Sequence, residues 1–194
     1  MAVDNPETPV NPPASGFDRS LILVSGPARS GKSRWAEHLL RSHPVVTYIA
    51  TGASRPDDLE WQKRLQAHRD RRPTHWSVAE SGGELVQLLE TLAPGQSVLI
   101  DALGGFVAHH LELEATEWTL LCERLVASIA KSNCTCVLVV EETGWGVVPP
   151  TRIGGLFRDR LGALAQQLDR IADAAWLVVQ GRALDLHSLS HVVP

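Results

Sequence analysis

The chain has 194 residues, 44% of them hydrophobic and 21% charged, with a net charge of −4. That length supports a hydrophobic core without covalent staples, and the composition is that of a water-soluble globular chain. The acidic balance argues against nucleic acid or an anionic membrane surface as a partner, and no apolar run approaches the roughly 20 residues of a membrane helix.

Residues 1–20 carry Pro6, Pro9, Pro12 and Pro13 among small and acidic residues. Such a segment buries too little to offset its ordering entropy, so it reads as a flexible tail or an arm that packs on a neighbour. It lacks the basic and apolar blocks of a secretory leader. Residues 21–194 read as one domain.

The domain opens on an apolar run, Leu21-Ile22-Leu23-Val24, followed by Gly26-Pro27-Ala28-Arg29-Ser30-Gly31-Lys32-Ser33 and then a helical pattern with Trp35, Leu39 and Leu40. A strand feeding a G-x-x-x-x-G-K-[ST] turn that opens a helix is the context of a phosphate loop. Backbone N–H groups of the turn face an anion. Lys32 is suited to the β- and γ-phosphates, and the Ser33 hydroxyl to Mg²⁺.

Val45 to Ala50 is a second strand, ended by Thr51-Gly52-Ala53-Ser54. A polar helix is expected from Asp57, as its cap, to about Arg72, where Pro73 stops it. Residues 61–72 hold five basic residues, Lys63, Arg64, Arg69, Arg71 and Arg72, against the single acid Asp70. Guanidinium forks match phosphate oxygens, although a charge run is also what a solvated helix face looks like. His68 sits within the run. A lone histidine is far more often structural or idle than a nucleophile, and spacing alone leaves the nucleophile the minority reading; among arginines its imidazole would stay neutral and nucleophilic toward phosphorus.

A short strand is expected near Trp76 to Glu80, then a helix from Glu84 to Leu92 closed by Pro94-Gly95. Val98-Leu99-Ile100-Asp101 forms the next strand, and a carboxylate at a strand end beside a phosphate loop suits Mg²⁺. Helices follow over about 106–113 and 117–131. His109 and His110 diverge by about a hundred degrees on a helix, which makes a poor ligand pair and a structural reading.

Cys134 and Cys136 have a spacing poor for zinc or dithiol chemistry, so with Cys122 they read as buried reduced thiols of a cytoplasmic protein. The strand Cys136 to Val140 ends at Glu141-Glu142, which fits either a base for an acceptor hydroxyl or a solvated acidic turn. After the loop 143–150, a long amphipathic helix carries Ile153, Leu156, Phe157, Leu161, Leu164, Leu168 and Ile171 at helical spacing. Trp176 to Val179 is the last clear strand. Short apolar runs alternating with helices imply an α/β fold, a mostly parallel sheet covered on both faces. Its ligand crevice lies at the strands' carboxyl ends.

The ordered motifs are discriminating together: Gly-x-Ala-Arg-Ser-Gly-Lys-Ser at 26–33, Tyr48-Ile49-Ala50-Thr51, His68-Arg69-x-x-Arg72-Pro73-x-x-Trp76, Glu142-Thr143-Gly144-Trp145-Gly146-Val147-Val148-Pro149 and Phe157-Arg158-Asp159. Over about residues 20–182 the chain resembles the bifunctional adenosylcobinamide kinase/adenosylcobinamide-phosphate guanylyltransferase family of the cobalamin pathway. The resemblance implies a RecA-like P-loop NTPase fold, a trimer, and two reactions. An NTP, ATP or GTP, phosphorylates adenosylcobinamide, a corrinoid; GMP then passes from GTP through a guanylyl-histidine to give adenosylcobinamide-GDP. His68 falls on the guanylylated position. The implied nucleotide contacts are residues 26–33, Thr51, Gly52, Ala53, Arg69, Asp70, Arg71, Arg72, Glu80 and Asp101, with Ser33 and Asp101 toward metal. This chain departs from the pattern at Pro27, at Ala102-Leu103-Gly104, at His109 and at Glu141.

Overall fold

The structure, a computed structural model, describes residues 19–53, 57–146 and 148–193. Except for Arg19 and Ser20, the expected N-terminal tail lies outside the described residues. Seven strands form one sheet: β1 (Ser20–Gly26), β2 (Val46–Ala50), β3 (Ser77–Glu80), β4 (Ser97–Asp101), β5 (Thr135–Glu141), β6 (Ala174–Val179) and β7 (Arg182–Asp185). Their order is β3-β2-β4-β5-β1-β6-β7, parallel throughout except for β7, which pairs antiparallel with β6. The helices are α1 (Lys32–Leu39), α2 (Leu59–Arg71), α3 (Leu85–Glu90), α4 (Leu103–His109), α5 (Ala115–Lys131), α6 (Arg152–Asp169) and α7 (Leu186–Leu189).

Alternate side chains of each central strand enter different layers, as strand geometry requires. Leu21, Leu23, Ile49, Ile100 and Leu138 join α3, α4, α5 and α6 in the larger core, around the buried Phe106, Leu125 and Leu164. Ile22, Val24, Tyr48, Leu99, Val137 and Val139 face Ala36 and Leu40, from α1 and its end, together with Trp76. Because both faces are covered, the central strands read as continuous apolar runs rather than as alternation. Each of the large side chains contributes about 1.5–3 kcal/mol through its burial.

Helix boundaries shift where local chemistry differs from periodicity. The helix expected over 106–113 is instead α4, ending at His109. Arg160 of α6, itself buried, donates to the carbonyls of His110 (2.8 Å), Leu111 (3.2 Å) and Leu113 past that end. Its guanidinium also lies 5.0 Å from the Trp118 ring. Glu114 and Glu117 build a capping box that starts α5, and Thr151 caps α6 by accepting from the Gly154 N–H (3.2 Å). Asp57 was expected to cap the polar helix, but α2 starts at Leu59. The edge strand β7 and the one-turn α7 had no expectation in the sequence.

All three cysteines are free and buried. Burial pushes the thiols of Cys122 and Cys136 up, to about 11 and about 12. Among the described residues no helix is long and apolar enough to cross a membrane.

Candidate active site

The strand ends converge on one edge of the sheet. Ala50 pairs in register with both Glu80 and Asp101, and Gly26 pairs with Glu141. The order places β5 between β1 and β4. The strand carrying Glu141, rather than the one carrying Asp101, is therefore the direct neighbour of the phosphate-loop strand. The Glu142 N–H donates to the Gly26 carbonyl (2.9 Å) and ties the two strand ends together.

The phosphate loop turns through Arg29 at φ +60° and Gly31 at φ +105°. The second conformation is one that side-chain-bearing residues rarely adopt, which explains glycine there. The Ser30 N–H donates to the Pro27 carbonyl (3.3 Å), and the Trp35 N–H to the Gly31 carbonyl (3.0 Å), beginning α1. The turn between β6 and β7 braces the loop, with the Gly181 N–H donating to the Ser30 carbonyl (2.9 Å). Lys32 Nζ lies across the loop and donates to the Pro27 carbonyl (3.2 Å).

Beside the loop is a cleft of about 840 Å³. Its walls include Arg29, Ser30, Gly31, Lys32 and Ser33 from the loop, Thr51, Gly52 and Ala53 after β2, and Arg69, Arg71 and Arg72 from the end of α2. Glu80 and Asp101 line it as well. The sequence reading named all of these. Gly26, Pro27 and Ala28 form the loop's approach from β1, with the Pro27 carbonyl taking the two bonds above. Asp70 accepts a hydrogen bond from Gln66 one turn earlier, on the exposed surface of α2 (2.6 Å). His68 is on α2 immediately before Arg69, and its side chain lies outside the described residues.

Several bonds fix this wall. The Thr51 hydroxyl donates to the Ala102 carbonyl and joins the ends of β2 and β4. The Tyr48 hydroxyl donates to Asp101 Oδ2 (3.1 Å), while the Arg72 guanidinium lies 3.9 Å over the Tyr48 ring. Burial and the adjacent Asp101 push the phenol pKa upward. Glu141 Oε2 accepts from the Gly104 N–H (2.8 Å). Burial pushes the Glu141 pKa up against the opposing pull of that N–H and of Lys32. Cationic groups of the loop and of α2 thus line one cleft, a charge arrangement suited to a polyphosphate.

Other cleft residues were given no role from the sequence, although Tyr48 and Phe157 stand inside the motifs that carry the resemblance. Tyr48 looked like one more core residue of an apolar strand, yet its ring and hydroxyl link Arg72 to Asp101. Arg34, Gln62, Val78 and Phe157 also line the cleft. The two histidines of α4's end divide: His109 lines the cleft, while His110 bonds the Gly83 carbonyl (2.9 Å) and packs on Phe106. For Mg²⁺, the Ser33 hydroxyl and the Asp101 carboxylate are hard oxygen donors on one cleft beside Lys32, a donor set that fits this ion.

Residues 22–186 match the CobU family, described as cobinamide kinase / cobinamide phosphate guanyltransferase. The chain belongs to this family. It is 38% identical over 176 residues to the bifunctional adenosylcobalamin biosynthesis protein CobU of Salmonella typhimurium, covering 83% of this chain and 96% of that protein. It is 34% identical over 168 residues to the bifunctional adenosylcobalamin biosynthesis protein CobP of Pseudomonas aeruginosa, covering 84% and 95%. Among solved structures, a prototypical ATPase from a type III secretion system of pathogenic bacteria superposes with a TM-score of 0.55 at 10% identity, over 84% of this chain and 52% of that one. The ATPase EscN of enteropathogenic E. coli gives 0.55 at 12% identity, over 85% and 44%. These likenesses show the P-loop NTPase fold expected from the sequence.

Proposed function

We propose that this protein catalyses both transfers of its family, phosphorylation of adenosylcobinamide by an NTP and guanylylation of the resulting phosphate by GTP. The observation that carries the reading is that the phosphate loop and the arginine end of α2 line one cleft in a chain of this family.

In the kinase step the acceptor hydroxyl oxygen attacks the γ-phosphorus, and the bond to the β–γ bridging oxygen breaks. The loop N–H groups and Lys32 hold the phosphates and spread the charge that develops on them. Ser33 and Asp101 would hold Mg²⁺, which when bound neutralises charge on the triphosphate.

In the second reaction a ring nitrogen of His68 attacks the α-phosphorus of GTP, and pyrophosphate leaves. The cobinamide phosphate oxygen then attacks the same phosphorus and displaces the histidine. Dividing the transfer into two displacements splits one difficult step into two easier ones, the histidine being the nucleophile of the first and the leaving group of the second. Arg69, Arg71 and Arg72 supply fixed positive charge at the α-phosphate, and Glu80 accepts hydrogen bonds from the base or ribose. Gly52 and Ala53 border the nucleotide through backbone groups. By family resemblance the working enzyme is a homotrimer, and its buried free thiols suit the cytoplasm.

The test is a coupled assay with purified protein, ATP, GTP, Mg²⁺ and cobinamide. Wild type is expected to form cobinamide phosphate and then cobinamide-GDP, and Lys32→Ala to lose the first product. Undiminished phosphorylation by Lys32→Ala would remove the loop from the mechanism.

A further inference from the structure

The phosphate-loop cleft contains a carboxylate that the reading above leaves without a task. Glu141 ends β5, the immediate neighbour of the loop strand, in register with Gly26. It lines the cleft together with Lys32 and Asp101. Oε2 is held by the Gly104 N–H at 2.8 Å, at the start of α4. Gly104 is also what makes room for it. A Cβ on residue 104 would lie 2.7 Å from Oε2 and 2.8 Å from both Cδ and Oε1. Gly104 and Glu141 therefore fit as a reciprocal pair, with the missing side chain of one filled by the carboxylate of the other.

An exposed acidic turn needs no such arrangement. The Glu141 carboxylate lies in the cleft itself, where Lys32 offsets its charge. Its fixed seat and its place beside Lys32 suit a group that meets the incoming hydroxyl. We propose that Glu141 is a catalytic residue of the kinase step, accepting the hydrogen bond of the acceptor hydroxyl and taking its proton as the oxygen attacks the γ-phosphorus. The O–H bond breaks, the O–Pγ bond forms, the bond to the bridging oxygen breaks and the nucleoside diphosphate departs. Glu141 is left protonated and returns the proton to solvent after release. Gly104 is a positioning residue that acts through Glu141. This inference rests on the cobinamide kinase reading.

Glu141→Gln keeps an oxygen for the Gly104 N–H and removes only the proton acceptor. Steady-state phosphorylation of cobinamide is expected to fall about 100-fold in kcat, within the range usual for lost acid–base catalysis, while KM for ATP stays within threefold. Gly104→Ala should cause a comparable loss by displacing the carboxylate. Gly104→Ala combined with Glu141→Asp, whose shorter side chain clears the new methyl, should regain part of it. A merely structural contact would not show this reciprocal rescue. Glu141→Gln turnover within threefold of wild type overturns the proposal. So does a kcat loss matched by an equal rise in KM for ATP, which would make Glu141 a partner of the loop lysine. Wild type that phosphorylates no cobinamide would overturn the parent reading and this inference with it; active wild type with active Glu141→Gln overturns this inference alone.

Discussion

Glu37 of α1 accepts two hydrogen bonds from Arg71 of α2, from Nε to Oε2 at 3.2 Å and from Nη2 to Oε1 at 3.0 Å. The carboxylate is buried and the guanidinium partly exposed. This forked pair joins the helix that leaves the phosphate loop to the helix that carries His68.

Arg71→Ala leaves the Glu37 carboxylate buried without this partner. Because the arginine is partly solvated, the loss should be moderate, about 1–2 kcal/mol. Urea unfolding of Arg71→Ala, Glu37→Ala and the double variant measures it. The two single losses should exceed the double loss; strict additivity would show that the pair is not coupled.

Arg160→Met removes the donors to three backbone carbonyls at the end of α4 while keeping the apolar stem. The Leu111 and Leu113 carbonyls of this half-exposed turn then lose their donor, while the His110 carbonyl keeps the Leu113 N–H (3.2 Å), at a cost of about 1–3 kcal/mol. The midpoint of urea denaturation should fall with an unchanged slope. An unshifted midpoint would mean that water replaces the guanidinium without cost.

The strands and long helices were legible because their apolar runs and helical spacing report burial directly. Leu21 to Val24 and Cys136 to Val140 read as two-sided strands for the reason that the sheet is covered on both faces. The phosphate loop, Glu80, Asp101 and the α2 arginines were legible as residue types placed at strand ends or in a charge run. What escaped depended on partners distant in sequence. Arg160 looked like one more polar position on α6, because the carbonyls it serves lie about fifty positions earlier. Tyr48 hid in an apolar strand. The seat of Glu141 needed the sheet order, since nothing local reveals that residue 104 lies against residue 141. The edge strand β7 has only four residues and half-exposed side chains, too short for its alternation to register.

Cys122, Cys134 and Cys136 should resist a thiol reagent in the native protein, since the thiolate is the reactive form and burial disfavours it. Ellman's reagent at pH 8 should titrate no thiol within minutes in buffer and all three in guanidinium. Rapid native labelling would show that one of them is accessible.

Glu141 also sets a pH dependence of stability. Burial raises its pKa in the folded state above the unfolded value, so the native protein binds the proton more tightly. Its contribution is then fully present below the ordinary carboxylate pKa of about 4.3, and it is lost as pH rises through the raised native value. Urea unfolding of wild type and Glu141→Gln from pH 4 to pH 8, without Mg²⁺, isolates the effect. Wild type should lose stability relative to the variant as pH rises; a constant difference would contradict the assignment.

The central claim is that His68 carries GMP between GTP and the corrinoid phosphate. The direct measurement is to incubate the protein with GTP labelled at the α-phosphorus and to denature it. The bound label is then tested for stability in acid and in base, alongside His68→Ala. Wild type should retain label that acid releases and base does not, the behaviour of a phosphoramidate, and His68→Ala should retain none. Unlabelled wild type, or equal labelling of His68→Ala, would contradict the claim.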